Sequence, residues 1–228
     1  MTWALTTVIS ARPGDQYTER IAPITEPLFR AYAKRWGMDY CPCFVSPGET
    51  AWLVGTIAGN LGTAVVYASI PWRRHLLDRY EGIVYIDLDA VIVNPEQDVR
   101  IHVTPERPVA MPKGLTGAVQ VLLSCDATKK MLDCCWEERF VWYHQQWAEE
   151  GFFKEWFGWD WDYSHGDPAK FLGETDHTDE LNEVPWLCGH PFDPEIPDHP
   201  WAINPGGIHP FQRRLDIVKE YANALRHP

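Results

Sequence analysis

Apolar positions fall in short runs separated by polar turns, and the spacing inside each run decides the element it predicts. Residues 3–10 are rich in β-branched side chains and end in Ala-Arg-Pro-Gly-Asp, which predicts a buried strand followed by a loop. A helix follows, with Pro27 in its first turn, Leu28, Tyr32 and Arg35 or Trp36 on a helical period, and Gly37 as its C-terminal cap. Residues 39–45 read as a second strand. Pro71 opens a further helix that runs to Tyr80, with Trp72, Leu76 and Leu77 or Tyr80 on one side, before Glu81-Gly82 turns the chain. The next run, residues 83–89, is continuously apolar until its end, as expected of a strand covered on both faces.

Two further short strands are expected at residues 109–111 and 118–124, then one long helix over 126–150 that carries Met131, Cys134, Cys135, Trp142 and Trp147. Residues 151–210 hold no sustained period and read as long ordered loops, and a helix over 211–225 closes the chain. This alternation predicts an α/β fold, a Rossmann-like mixed sheet flanked by helices. No linker composition divides the 228 residues, so 1–228 is expected to be a single domain on one continuous sheet.

Composition narrows the function. Thirty-two acidic against 20 basic side chains leave a formal charge of -12, which repels phosphate backbones and argues against bulk nucleic-acid binding. Twelve Trp supply flat apolar faces that suit either a core or a sugar-binding cleft. The six cysteines show no pair of Cys-x-x-Cys hooks, which argues against structural zinc, and the opening residues lack the basic region of a secretory signal. Free thiols and a cytoplasmic location are therefore expected. Residues 51–70 carry no charge and contain Gly55-x-x-x-Gly59, but three glycines, Asn60 and several hydroxyls argue against a transmembrane span.

Candidate chemistry concentrates at the end of the third strand. Asp87 and Asp89 stand one residue apart at its C-terminal tip, and open α/β sheets bind ligands outside the carboxyl ends of their strands. Neighbouring carboxylates are hard oxygen ligands suited to Mg²⁺ or Mn²⁺, and an ion so held would neutralise a diphosphate.

The stretch from Pro71 to Asn94, with its helix, strand and Asp87-Leu88-Asp89, resembles the nucleotide-sugar glycosyltransferases of the A-type fold, particularly the glycogenin-like and galactosyltransferase-like branch. Residues 5–10 followed by Tyr17 are similar to that family's first nucleotide-binding strand and the tyrosine that stacks on the base. The resemblance places Thr7, Ile9, Arg12, Tyr17 and Leu88 among donor-binding residues, and Arg73 or Arg74 as the basic residue that reaches the diphosphate or sugar. Leu115-Thr116-Gly117 resembles the Asn-Thr-Gly segment that lines the sugar pocket, with leucine in place of the asparagine; Thr116 and Gly117 keep that role. Asn204-Pro-Gly-Gly-Ile-His209 is similar to the C-terminal segment that supplies a third metal ligand, His209, and Gly207 permits close approach to a phosphate.

Asp167 falls where the family carries an acidic or amide residue near the transferred sugar, and equally suits an N-cap before Pro168. Trp156, Trp159 and Trp161 suit an acceptor sugar or plain packing. The resemblance implies transfer of a sugar from a nucleotide-sugar donor, UDP-sugar favoured, with retention of configuration. The acceptor hydroxyl belongs to a glycan, a small molecule, a protein or a modified base. Residues 1–100 would form the nucleotide-binding half and 101–228 the acceptor-binding half. Two alternatives stay open: a haloacid-dehalogenase-like phosphatase with Asp87 as nucleophile, and a sugar- or nucleotide-binding protein without turnover.

Overall fold

The structure, a computed structural model, describes residues 2–57, 61–112, 117–142, 148–158, 177, 180–183, 187–189, 191, 200–205 and 210–225. The chain runs β1 (Trp3–Thr6), β2 (Val8–Ser10), α1 (Ala22–Arg35), β3 (Asp39–Tyr40), β4 (Cys43–Val45), α2 (Pro47–Ile57), α3 (Leu61–Leu76), β5 (Gly82–Ile86) and β6 (Val91–Ile92). It continues as β7 (Val109–Met111), β8 (Val119–Leu123), α4 (Asp126–Glu137), α5 (Arg139–Trp142), α6 (Ala148–Trp156), β9 (Leu181–Glu183), β10 (Cys188–Gly189), β11 (Ala202–Ile203) and α7 (Phe211–Ala224).

Six strands form the main sheet in the order β3-β1-β5-β8-β7-β9. The strands β3, β1 and β5 are parallel, β8 is antiparallel to both β5 and β7, and β9 is parallel to β7. The period of two divides the side chains between two cores. Leu5, Val84, Ile86, Val119 and Val121 meet Phe29 and Tyr32 of α1 and Leu215 and Val218 of α7 on one face. On the other face Ala4, Ile83 and Leu122 meet Ile70 and Leu76 of α3, Met131 and Leu132 of α4, and Phe152 and Phe153 of α6. The apolar run of β5 is thus covered on both sides, as its sequence predicts, and the mixed α/β sheet is the expected one.

Several elements differ from expectation. The first strand divides at Thr7: β1 joins the main sheet, whereas β2 pairs with β4. The second strand divides too, because Pro42 has no N–H for the ladder; Cys41 N–H still reaches the Leu5 carbonyl (2.9 Å) and Cys43 N–H the Thr7 carbonyl (2.8 Å). Pro27 and Pro71 open no helix and lie inside α1 and α3. The apolar face of Ala64, Tyr67, Ile70 and Leu76 is buried on both sides of Pro71, and this burial outweighs the lost hydrogen bond. Residues 51–70 are divided between α2 and α3, and among the described residues no helix is long and apolar enough to cross a membrane. The long helix expected over 126–150 ends at Glu137 and is followed by α5 and α6. Gly37 is the left-handed cap after α1, with φ of 64°.

Close packing at the base of β5 depends on Gly82. A methyl group there would stand 2.5 Å from the Trp3 ring and 2.7 Å from the Leu122 carbonyl oxygen. A small sheet, β10-β11-β6, begins just beyond the tip of β5. Because β6 is antiparallel to β11, the residue after β11, Asn204, returns beside that tip.

Candidate active site

The tip of β5 is a tight, anchored turn. Asp87 N–H donates to the Ala118 carbonyl (2.8 Å), and Ala90 N–H closes back on the Asp87 carbonyl (3.0 Å). Leu88 points inward and is 7% exposed, while its carbonyl accepts from Thr25 Oγ1 of α1 at 2.8 Å. With Leu88 fixed in the core, the flanking carboxylates of Asp87 and Asp89 are both presented at the sheet's carboxyl end. Tyr85 Oη donates to Asp87 Oδ1 (2.9 Å) and Asn204 Nδ2 to Asp87 Oδ2 (3.3 Å). Arg214 Nη1 of α7 donates to Asp89 Oδ2 at 3.2 Å.

Burial disfavours the ionised forms of this pair. Burial, then the Asp89 charge, then Glu149 push the Asp87 carboxyl well above the usual range, against the hydrogen bond from Tyr85. Burial pushes Asp89 up to about 6. Two hard carboxylates whose ionised forms are disfavoured by burial are the donor chemistry that a divalent cation satisfies, so the residues fit Mg²⁺ or Mn²⁺. Among the described residues no third acidic, His or Cys side chain completes a ready-made cage. The Cys188 thiol of β10 lies in the same field, and burial, Asp87 and Asp89 raise its proton affinity.

Behind the pair runs a buried polar layer. Arg73 of α3 is fully buried, donates to Gln120 Oε1 (2.9 Å) and Glu149 Oε2 (2.8 Å), and sits 4.1 Å from the centroid of the Tyr85 ring whose hydroxyl holds Asp87. Burial disfavours its charge, and Glu149 together with the other groups around it raises its proton affinity on balance. Arg74 lies on the outer side of the same helix and pairs with Asp78 (2.8 Å) and Asp133 (3.1 Å). The structure therefore brings Arg73 to the rear of the site and leaves Arg74 away from it. Glu150, next to Glu149 in α6, accepts the Gly117 N–H at 3.1 Å, and burial pushes its carboxyl up to about 7.

Thr7 is buried, and its hydroxyl has no partner among the described residues. Ile9 is buried in β2, whereas Arg12 is exposed in the following loop. Tyr17 opens a π-helical turn (Tyr17–Ile21), meets Phe211 edge-on at 5.3 Å and lies 5.3 Å from the Arg214 guanidinium. Tyr17, Arg214 and Asp89 therefore stand in contact sequence. Trp156 is 2% exposed and stacks on His177 at 4.2 Å, so it packs rather than facing a cleft. Thr116, Trp159, Trp161, Asp167, Gly207 and His209 lie outside the described residues.

Sequence reasoning passed over Tyr85, Glu149, Glu150, Asn204 and Arg214. A signal existed for three of them. Glu149-Glu150 stand just before Gly151, a residue of low helix propensity at the end of the stretch taken as one long helix, and Asn204 opens the Asn-Pro-Gly-Gly run. Nothing in the local sequence marks Arg214, which is one of two adjacent arginines on a helix.

Solved structures share this architecture over nearly the whole chain. A glycosyltransferase involved in glycosylation of the major capsid of PBCV-1 is similar with a TM-score of 0.64 over 96% of this chain and 100% of its own, at 11% identity. An active-site mutant of LgtC gives a TM-score of 0.51 over 97% of this chain and 95% of its own, at 11% identity. Mouse xyloside xylosyltransferase 1 gives 0.50 over 92% and 99%, at 8% identity. No family model matches the chain, and no curated protein matches it in sequence. The fold is the A-type fold of nucleotide-sugar glycosyltransferases, as the Asp-x-Asp module implied. The phosphatase alternative gains no support from these likenesses.

Proposed function

We propose that this protein is a metal-dependent glycosyltransferase that moves a sugar from a nucleotide-diphosphate donor, a UDP-sugar by preference, to an acceptor hydroxyl with retention of configuration. The observation that carries the reading is the Asp87/Asp89 pair at the carboxyl tip of β5, with Asp87 half-buried and oriented by Tyr85 and Asn204 and Asp89 buried beside Arg214. Asp87 and Asp89, with His209, would hold Mn²⁺ or Mg²⁺, which when bound supplies Lewis-acid neutralisation of a leaving diphosphate.

The chain's own residues do the positioning. Tyr85 and Asn204 each occupy one oxygen of Asp87 and fix the plane of its carboxylate. Tyr17 offers its ring to the base, and Thr7, Ile9 and Arg12 border the nucleotide from the end of the first strand. By the family resemblance, Thr116, Gly117 and Gly207 would serve the sugar and phosphate, and Asp167 would serve the transferred sugar. Glu150, held by the Gly117 N–H, adds a carboxyl to the sugar end, and Arg73 supports it from behind through Glu149. Residues 1–100 bind the nucleotide and 101–228 the acceptor, which is a glycan, a small molecule, a protein or a modified base. Six free cysteines fit a reducing compartment such as the cytoplasm.

The test is the shift in melting temperature with UDP, GDP, ADP or CDP, with and without Mn²⁺, for wild type and Asp89→Asn. A nucleotide at about 100 times its Kd adds about 2.7 kcal/mol of stability. One nucleotide should stabilise the wild type only with Mn²⁺, and Asp89→Asn should abolish that gain. If no nucleotide moves the wild type, the donor assignment is wrong.

A further inference from the structure

Arg214 is buried in the first turn of α7, 7% exposed, yet it is poorly satisfied for a guanidinium. Its described contacts are one hydrogen bond, Nη1 to Asp89 Oδ2 at 3.2 Å, and the Tyr17 ring face at 5.3 Å. Its Nε–H meets no acceptor among the described residues. A guanidinium carries five donors in a rigid fork, and leaving buried donors unmet is costly. Arg100 shows how the same side chain settles in a resting pair: it grips both Asp98 oxygens, with Nε at 2.9 Å and Nη2 at 2.8 Å. The Arg214–Asp89 contact is a single, long bond by comparison.

The backbone that carries Arg214 is fixed. Leu215, Val218 and Ala222 of α7 are buried in the core, so any rearrangement is confined to side-chain torsions. Its guanidinium stands between Tyr17, the base end of the donor site proposed above, and Asp89, the diphosphate end. We propose that Arg214 is an exchangeable counter-ion: it neutralises Asp89 in the metal-free protein and turns its fork onto the donor's phosphates when a divalent cation takes Asp89. This rests on the donor-site reading. A cation arriving at Asp89 repels the guanidinium, and a diphosphate offers the paired oxygens that a fork binds. Cation binding without nucleotide is thus opposed by Arg214, whereas cation and nucleotide together reinforce one another, with reciprocal coupling between them.

The test measures binding, not turnover. Mn²⁺ alone is titrated by electron paramagnetic resonance and UDP at saturating Mn²⁺ by calorimetry, on wild type, Arg214→Gln and Arg214→Lys. Arg214→Gln should bind Mn²⁺ alone about tenfold more tightly and UDP about tenfold more weakly, each change being the worth of one charged hydrogen bond. Arg214→Lys keeps the charge and loses the fork, so its Mn²⁺ affinity should stay near wild type while UDP binding falls about threefold or more. The opposite signs in the glutamine variant are the signature, since a merely structural arginine would weaken both ligands together. Should Arg214→Gln fail to fold, the lysine variant decides by the same two affinities. A wild type that binds both probes while the variants match it, or lose both together, overturns the exchange alone. A wild type that binds neither Mn²⁺ nor UDP overturns the donor site and the exchange with it.

Discussion

Replacing Arg73 by Met tests the buried layer behind the site. The guanidinium is fully buried, Glu149 is 6% exposed, and their 2.8 Å pair is an ionic contact between α3 and α6. Methionine keeps an unbranched stem of similar reach but leaves the Glu149 carboxylate and the Gln120 oxygen without their donor. Breaking a buried pair from one side costs about 3–5 kcal/mol, and the lost stacking on Tyr85 belongs to the same total. At about 2–4 °C per kcal/mol for a chain of this size, about 4 kcal/mol lowers Tm by roughly 8–16 °C. Urea unfolding followed by tryptophan fluorescence measures it. The double variant Arg73→Met with Glu149→Gln removes both charges, and it should recover about 2 kcal/mol relative to the sum of the single losses. Arg74→Met, whose pairs with Asp78 and Asp133 are exposed, should cost under about 1 kcal/mol. A loss below about 1 kcal/mol for Arg73→Met, or strict additivity in the cycle, would refute the buried-pair account.

Stability of the metal-free protein should depend on pH with a definite sign. Burial raises Glu150 from an ordinary 4.5 to about 7 and Asp89 to about 6, so the folded state holds these protons more tightly than the unfolded chain. The stability these two groups contribute is then greatest below about pH 4 and is lost as pH rises through 6 and 7. The Glu150 share is at most about 3 kcal/mol, and Glu150→Gln should flatten urea midpoints compared between pH 5 and pH 8. An unchanged slope in that variant would contradict the assignment. Gly82→Ala places a methyl group 2.5 Å from the Trp3 ring and 2.7 Å from a backbone oxygen. It should destabilise by about 3 kcal/mol with no change in sheet content by circular dichroism, and a neutral result would show that β1 and β5 can part at little cost.

The sequence by itself determined the strands that build the sheet's centre and marked the paired carboxylates at its tip. A run of Ile83-Val84-Tyr85-Ile86 is stable only between two apolar layers, and the two aspartates one residue apart at its end stand where open α/β sheets bind ligands. The closing helix was equally legible, because its apolar period is local. Where neighbours in space compete with local preference, the tertiary structure decided. Pro71 stays within α3 because packing on both sides of it holds the helix, and the stretch after Glu137 breaks so that α6 brings Glu149 and Glu150 to the site. Arg73 and Arg74 were indistinguishable in sequence. Adjacent helical residues point about 100° apart, so whichever face α3 lays on the sheet buries one arginine beside Glu149 and leaves the other in solvent. Asn204 and Arg214 reach Asp87 and Asp89 across more than a hundred residues, and only the folded chain sets such distances.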